Sequence, residues 1–187
     1  MKPKLAIVIG HSASRPGAWG KAPLSMYEFT YNKELADVIE TLSVNYPLLC
    51  RTFLREGLQG LRSAYAEVNK WIDKQPGVCI ELHFNSFTVP TARGTETLFK
   101  MRTAEKFAEV IHEAILPVFE RDWRTDRGVS QIGVGRGSLN LTLANCPSII
   151  LEPFFGSNPA DARLGMVKRQ EYATAILNGV VTYFQSP

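Results

Sequence analysis

Three short runs constrain most of what this chain can fold into. "LAIVIGH" (Leu5–His11), "VCIELH" (Val78–His83) and "SIILE" (Ser148–Glu152) are apolar almost throughout and then stop on a polar side chain. Apolar runs without polar alternation mark strands covered on both faces, as in a parallel sheet. Between them lie stretches with helical spacing. Phe29, Leu35, Val38, Ile39 and Leu42 predict an amphipathic helix that starts at Glu28 and fades before Pro47. Further helices are expected over Leu58–Lys74, Thr103–Phe119 and Ala160–Phe184. Lys4–Ile9, Leu48–Leu54, Val78–His83, Arg93–Lys100 and Ser148–Leu151 read as strands, and Leu139–Ala144 as a candidate strand. Residues 10–27 form a long Gly-, Ser- and Pro-rich loop, and Arg121–Gly137 a polar, Gly-rich excursion. The alternation predicts a single α/β domain, with a mainly parallel twisted sheet of about six strands flanked by helices.

Composition removes several function classes. The chain has 187 residues, enough for one domain that buries about 70% of its unfolded surface. No run of about 20 apolar residues occurs, so no membrane insertion is expected. Leu5–Ile9 is too short for a signal-peptide core and no A-x-A-like cleavage site follows, so no signal peptide is expected. The net charge of +3 comes from scattered Lys and Arg, which gives no footprint for nucleic acid. Cys50, Cys79 and Cys146 have no C-x-x-C spacing and read as free thiols in or beside apolar runs.

Chemistry concentrates at the strand ends. Open α/β sheets bind ligands beyond the carboxyl ends of their strands. If the three opening runs are parallel, His11, His83 and Glu152 emerge at one edge. Neutral imidazole is the commonest metal ligand, and a catalytic zinc takes three protein ligands plus water. The third ligand should be a carboxylate. Glu28, closing the first long loop, is the candidate; a helix N-terminal carboxylate facing the helix dipole is the other reading. Glu152 sits between Ile149-Ile150-Leu151 and Pro153-Phe154-Phe155, which should raise its pKa and suit it to acid–base work. A buried Glu paired with an Arg is the alternative. Glu81 shares a strand face with His83, as its outer partner or as half of a sheet-face salt bridge. His112 falls inside a helix, away from the strand ends, and reads as packed or solvated. "GVGRG" (Gly133–Gly137) lacks phosphate-loop spacing, and neither a G-x-S-x-G elbow nor a cysteine nucleophile motif is present.

Five segments in order then carry a resemblance. "IVIGHSASRPGAWG", "YEFTYNKELADVIETL", "CIELHFNS" with "GTETLF", "DRGV" and "PSIILEPFFGSNPAD" resemble the zinc-dependent N-acetylmuramoyl-L-alanine amidases of the amidase 3 family, along nearly the whole chain. The resemblance implies that His11, Glu28 and His83 hold Zn2+ and that Glu152 is the catalytic carboxylate. It also implies peptidoglycan as substrate, cut at the amide between N-acetylmuramic acid and L-alanine. Arg127 in "DRGV" would hold a carboxylate or the oxyanion, or pair with Asp126 or another acid. Asn85 would shape the loop behind His83.

The opening departs from the family's Asp-Pro-Gly-His-Gly-Gly-like pattern, reading Ile9-Gly10-His11-Ser12-Ala13 here. The expected organisation is one catalytic domain over 1–187 without a cell-wall-binding module, similar to single-domain phage endolysins and favouring a monomer. Such an enzyme would be made in the cytoplasm and reach the wall through a phage holin, or be a mature secreted form. A zinc carboxypeptidase, an N-acylamino-acid deacylase and a non-catalytic peptidoglycan-binding module are the competing readings.

Overall fold

Each apolar run becomes a strand, and the three lie side by side. In the computed structural model, which describes residues 1–56, 60–120, 122, 125–135 and 137–186, six strands form one sheet. They are β1 (Lys4–Ile9), β2 (Leu49–Phe53), β3 (Gly77–Leu82), β4 (Thr95–Phe99), β5 (Asp126–Gln131) and β6 (Ser148–Glu152), in the spatial order β2-β1-β3-β6-β4-β5. All neighbouring pairs are parallel except β4 with β6, which is antiparallel. Six α-helices flank the sheet: α1 (Glu28–Ser43), α2 (Gly60–Ile72), α3 (Glu105–Ile115), α4 (Ser138–Leu143), α5 (Pro159–Val167) and α6 (Arg169–Gln185).

The unbroken apolar character of the central strands has a direct cause. Leu5, Ile7 and Ile9 of β1 and Ile80 and Leu82 of β3 face the large core that also holds residues of α1, α3 and α6. The alternate residues Ala6, Val8 and Cys79 face Tyr65, Val68 and Ile72 of α2 on the other side. Leu98 and Ile150 meet Leu141 of α4 on that second side. A strand with a core on each face needs apolar residues at both parities. Lys4 is the exception within β1: its ammonium donates to the Trp71 carbonyl near the end of α2 and lies 5.2 Å from that indole ring. Phe154, wholly buried just after β6, contacts Tyr31, Phe84 and Phe119 at ring separations of 5.2, 5.3 and 5.9 Å, and so locks the loops beyond the sheet edge onto the helices.

Three expectations change. The candidate strand Leu139–Ala144 is helix α4, entered from Gly137 in the left-handed region (φ 72°). Its alternating Leu-Asn-Leu-Thr-Leu pattern mimics a strand, but the helix buries Leu141 and turns Asn140 inwards, and tertiary contacts override so short a pattern. The polar excursion Arg121–Gly137 contains edge strand β5, whose half-exposed sequence lacks an apolar run. Ala160–Phe184 is helical as expected, divided between α5 and α6, and α5 starts at a cap in which the Asn158 side chain accepts from Ala160 N and Asp161 N at 2.9 and 3.2 Å. Thr103–Phe119 is α3 between two short 3-10 turns, Arg102–Ala104 and Leu116–Phe119. Leu58, where the second helix was expected to begin, lies outside the described residues. Cys50, Cys79 and Cys146 are free thiols. Among the described residues no helix is long and apolar enough to cross a membrane.

Candidate active site

The strand ladder runs one step past the last paired residues. Gly10 N donates to Leu82 O at 3.0 Å, and His83 N donates to Leu151 O at 3.0 Å. Gly10, His83 and Glu152 therefore stand in one row at the carboxyl edges of β1, β3 and β6. Gly10 is required there: a Cβ on it would fall 2.5 Å from the His83 ring. The next residue, His11, adopts φ 67°, a turn that swings its imidazole back towards His83. The two rings meet edge to face with centroids 5.0 Å apart.

Glu28 closes the group from α1. It is the first residue of that helix, yet its carboxylate turns away from its own backbone. Oε1 accepts from His83 Nδ1 at 2.7 Å and from Phe84 N at 3.1 Å, while Oε2 lies 3.1 Å from His11 Nε2 and accepts from Ala18 N at 3.3 Å. Gly17 (φ 79°) makes room, since a Cβ there would reach within 2.8 Å of both His11 and Glu28. The helix-dipole alternative for Glu28 thus gives way to a three-residue cluster. One ligand atom each from His11, Glu28 and His83 fall within 4.8 Å of one another.

Charge in this cluster is strongly coupled. Burial alone would push the Glu28 carboxyl up, but hydrogen bonds from His11 and His83 outweigh it and hold it at about 2. Burial likewise opposes a charge on His83, yet its bonds to Glu28 and Glu81 push it up to about 10. Glu81, also buried, is held at about 2 by His83 and Arg55. The metal-free site therefore keeps a cation, the imidazolium, between two carboxylates. Two imidazoles and one carboxylate match the donor set of a catalytic zinc, and a divalent cation would replace the His83 proton.

Glu152 lies apart from the three ligand candidates but next to one of them. Together with His83, Arg55, Asn140, Leu98, Ile150 and Gly137 it lines a cavity of about 280 Å3 on the α2/α4 side of the sheet. Glu96 faces Glu152 across the antiparallel β4–β6 pair. Arg127, half exposed on β5, approaches Glu96 Oε2 at 4.0 Å and lies over the Phe155 ring at 5.3 Å. Asn85 joins the loops by backbone bonds to Phe154 O and Gly156 N at 2.9 and 2.8 Å, and its side-chain oxygen accepts from Ser86 N. Trp19 and Tyr27, both exposed, stack edge to face 4.8 Å apart on the loop that leads into Glu28.

Several residues of this edge escape a reading of the sequence. Arg55, Tyr65 and Asn140 all bond Glu81, and Asp161 holds Gly94 N and Phe155 N at 3.0 Å each. Tyr65 fits the apolar face of α2, so its hydroxyl carries no periodic signal, and Asn140 sits in the segment that resembles a strand. His112 stays away from the edge: it is buried, with Nδ1 against Thr97 Oγ1 at 2.9 Å and Nε2 against Asp126 Oδ1 at 2.8 Å.

Known proteins share this architecture. The catalytic domain of CwlV, an N-acetylmuramoyl-L-alanine amidase from Bacillus (Paenibacillus) polymyxa var. colistinus, is 24% identical with a TM-score of 0.81, covering 100% of both chains. An N-acetylmuramoyl-L-alanine amidase from Clostridium difficile 630 is 19% identical with a TM-score of 0.81, covering 99% of this chain and 98% of the other. The catalytic domain of CD27L, an endolysin targeting Clostridia difficile, is 22% identical with a TM-score of 0.77 over 96% of this chain and 97% of its own. No curated protein sequence matches significantly. The family profile Amidase_3, N-acetylmuramoyl-L-alanine amidase, matches residues 5–182, nearly the entire fold including every residue of the edge described above, and the chain therefore belongs to the Amidase_3 family of peptidoglycan amidases.

Proposed function

We propose that the protein hydrolyses the amide between the lactyl group of N-acetylmuramic acid and L-alanine in a zinc-dependent reaction. His11 Nε2, a Glu28 oxygen and His83 Nδ1 hold the metal, and Glu152 carries the proton. The observation that supports this best is the His11–Glu28–His83 cluster standing one strand away from Glu152. Zinc held there would polarise the scissile carbonyl and bring the pKa of water towards about 7.

The chain's own groups do the rest. Glu152 takes a proton from the attacking water on its carboxylate and returns it to the alanine nitrogen as the C–N bond breaks. Glu152 lines the same cavity as His83, which supports that role. Arg127, half exposed on β5 and 4.0 Å from Glu96, would bind a carboxylate of the stem peptide. Asn85 holds the His83 loop against the Phe154–Gly156 segment, which carries Glu152 at its base. The likeness to an endolysin catalytic domain supports a lytic role at the cell wall.

Metal analysis of protein purified without added zinc, paired with digestion of purified peptidoglycan, tests the proposal. The expected result is about one Zn2+ per chain and release of intact stem peptides from uncut glycan strands. Release of single amino acids would identify a carboxypeptidase instead. Binding of peptidoglycan without any product would identify a non-catalytic module.

A further inference from the structure

Resting on the zinc reading above, we propose that Glu81 is a positioning residue for the metal: it fixes His83 with its proton on Nε2 and so dedicates Nδ1 to the ion. Glu81 is wholly buried on β3, two residues before His83 and on the same face. Four side chains donate to its carboxylate. Oε1 accepts from Arg55 Nη1 at 2.8 Å, Asn140 Nδ2 at 2.8 Å and His83 Nε2 at 3.0 Å. Oε2 accepts from the Tyr65 hydroxyl at 2.6 Å and from Asn140 Nδ2 at 2.7 Å.

With a cation bound to the cluster, the geometry leaves one assignment of the imidazole proton. Guanidinium and amide N–H groups can only donate, and the tyrosine hydroxyl donates to a carboxylate, so Glu81 is an acceptor at both oxygens. Against an acceptor, His83 Nε2 must carry hydrogen. Nδ1 faces Glu28 Oε1 at 2.7 Å and donates to it in the metal-free site; a cation shared with Glu28 and His11 would take the place of that hydrogen, while Nε2 keeps its own. His11 presents the opposite nitrogen, Nε2, to the other Glu28 oxygen. The ligand set is therefore unsymmetrical, Nε2 from His11 and Nδ1 from His83. Arg55 offsets the charge of Glu81, so the buried carboxylate can orient the ring without leaving an uncompensated anion behind it. Tyr65 on α2 and Asn140 on α4 in turn aim the carboxylate, which makes the packing of both helices part of the metal site.

Partners of this kind hold ring orientation and raise ligand basicity, and their loss costs about 10–100-fold in metal affinity. The test is the Zn2+ affinity of the full chain, read by competition with a chromophoric chelator. Glu81→Gln should weaken binding by about 10–100-fold. Asp126→Asn, which changes the carboxylate on His112 and leaves Glu81 and His83 untouched, should stay within about threefold, a shift of well under one decade. Melting of the metal-free variants checks that each is folded. Nitrogen NMR of the zinc-loaded wild type gives an answer even if Glu81→Gln does not fold: His83 should show a protonated Nε2 and a metal-bound Nδ1. Wild-type affinity in folded Glu81→Gln, or zinc on Nε2 of His83, would overturn the proposal. A wild-type chain that binds no Zn2+ would overturn the metal site itself, a result distinguishable from either.

Discussion

Two histidines of this molecule, His112 buried and His83 partly buried, are built almost alike. His83 and His112 each have both ring nitrogens engaged, and each has a carboxylate on Nε2, Glu81 at 3.0 Å and Asp126 at 2.8 Å. The difference lies on the other nitrogen. Nδ1 of His112 meets the hydroxyl of Thr97, a fully buried β4 residue, which ties α3 to the sheet and ends the chain of bonds. Nδ1 of His83 meets Glu28, whose second oxygen meets a second imidazole, His11. A histidine closed by a neutral hydroxyl is a strut. A histidine facing a shared carboxylate and another imidazole, at the edge where strands end, is the one proposed as a ligand. Burial separates them only modestly, with 15% of the His83 side chain exposed against 5% of His112; the partners on Nδ1 make the difference.

Removing each ring in turn breaks this comparison most sharply. His83→Ala should abolish both zinc binding and turnover, measured by metal content and release of stem peptides. Retained stoichiometric zinc in that variant would remove His83 from the ligand set. Glu152→Gln comes next: about 10²–10⁴-fold less turnover is expected, with zinc content unchanged. Full muralytic activity in this variant would sink the role given to Glu152. His112→Ala should keep zinc and activity while lowering stability by about 1–3 kcal/mol, because the buried Thr97 hydroxyl loses its partner. Thermal melting reads this as a drop of about 2–4 °C per kcal/mol for a domain of this size.

The smallest effect concerns pH and applies to the metal-free protein. Glu28 and Glu81 face His83 directly, with His11 and Arg55 completing the charged surroundings. They push its pKa from 6.5 up to about 10, against the burial that would lower it. Across that window the folded chain holds a proton that the unfolded chain has lost. Its stabilisation is complete below about pH 6.5 and disappears as pH rises through about 10. The melting temperature of metal-free protein should fall over this range by a few degrees more than that of His83→Ala. An equal pH dependence in both would place the effect elsewhere.

The sequence alone determined more of the site than of its support. His11, His83 and Glu152 were legible because parallel strands buried on both faces must be apolar at every position, so a polar residue at their ends stands out. β1, β3 and β6 were readable for the same reason. Edge strand β5 was not, since a half-exposed strand needs no apolar run, and α4 was mistaken because six residues are too few for a helical period to beat an alternating one. What only the tertiary structure decided is which nitrogen, which oxygen and which neighbour. Glu28 could serve the helix dipole or the cluster until the 10–27 loop brought it against His11 and His83. Arg55, Tyr65 and Asn140 come from three distant segments, and their convergence on Glu81 leaves no periodicity in the chain to betray it. Burial patterns are written locally, residue by residue. Hydrogen-bond partners are set by packing between elements remote in sequence, and only the folded sheet and helices bring them within 3 Å.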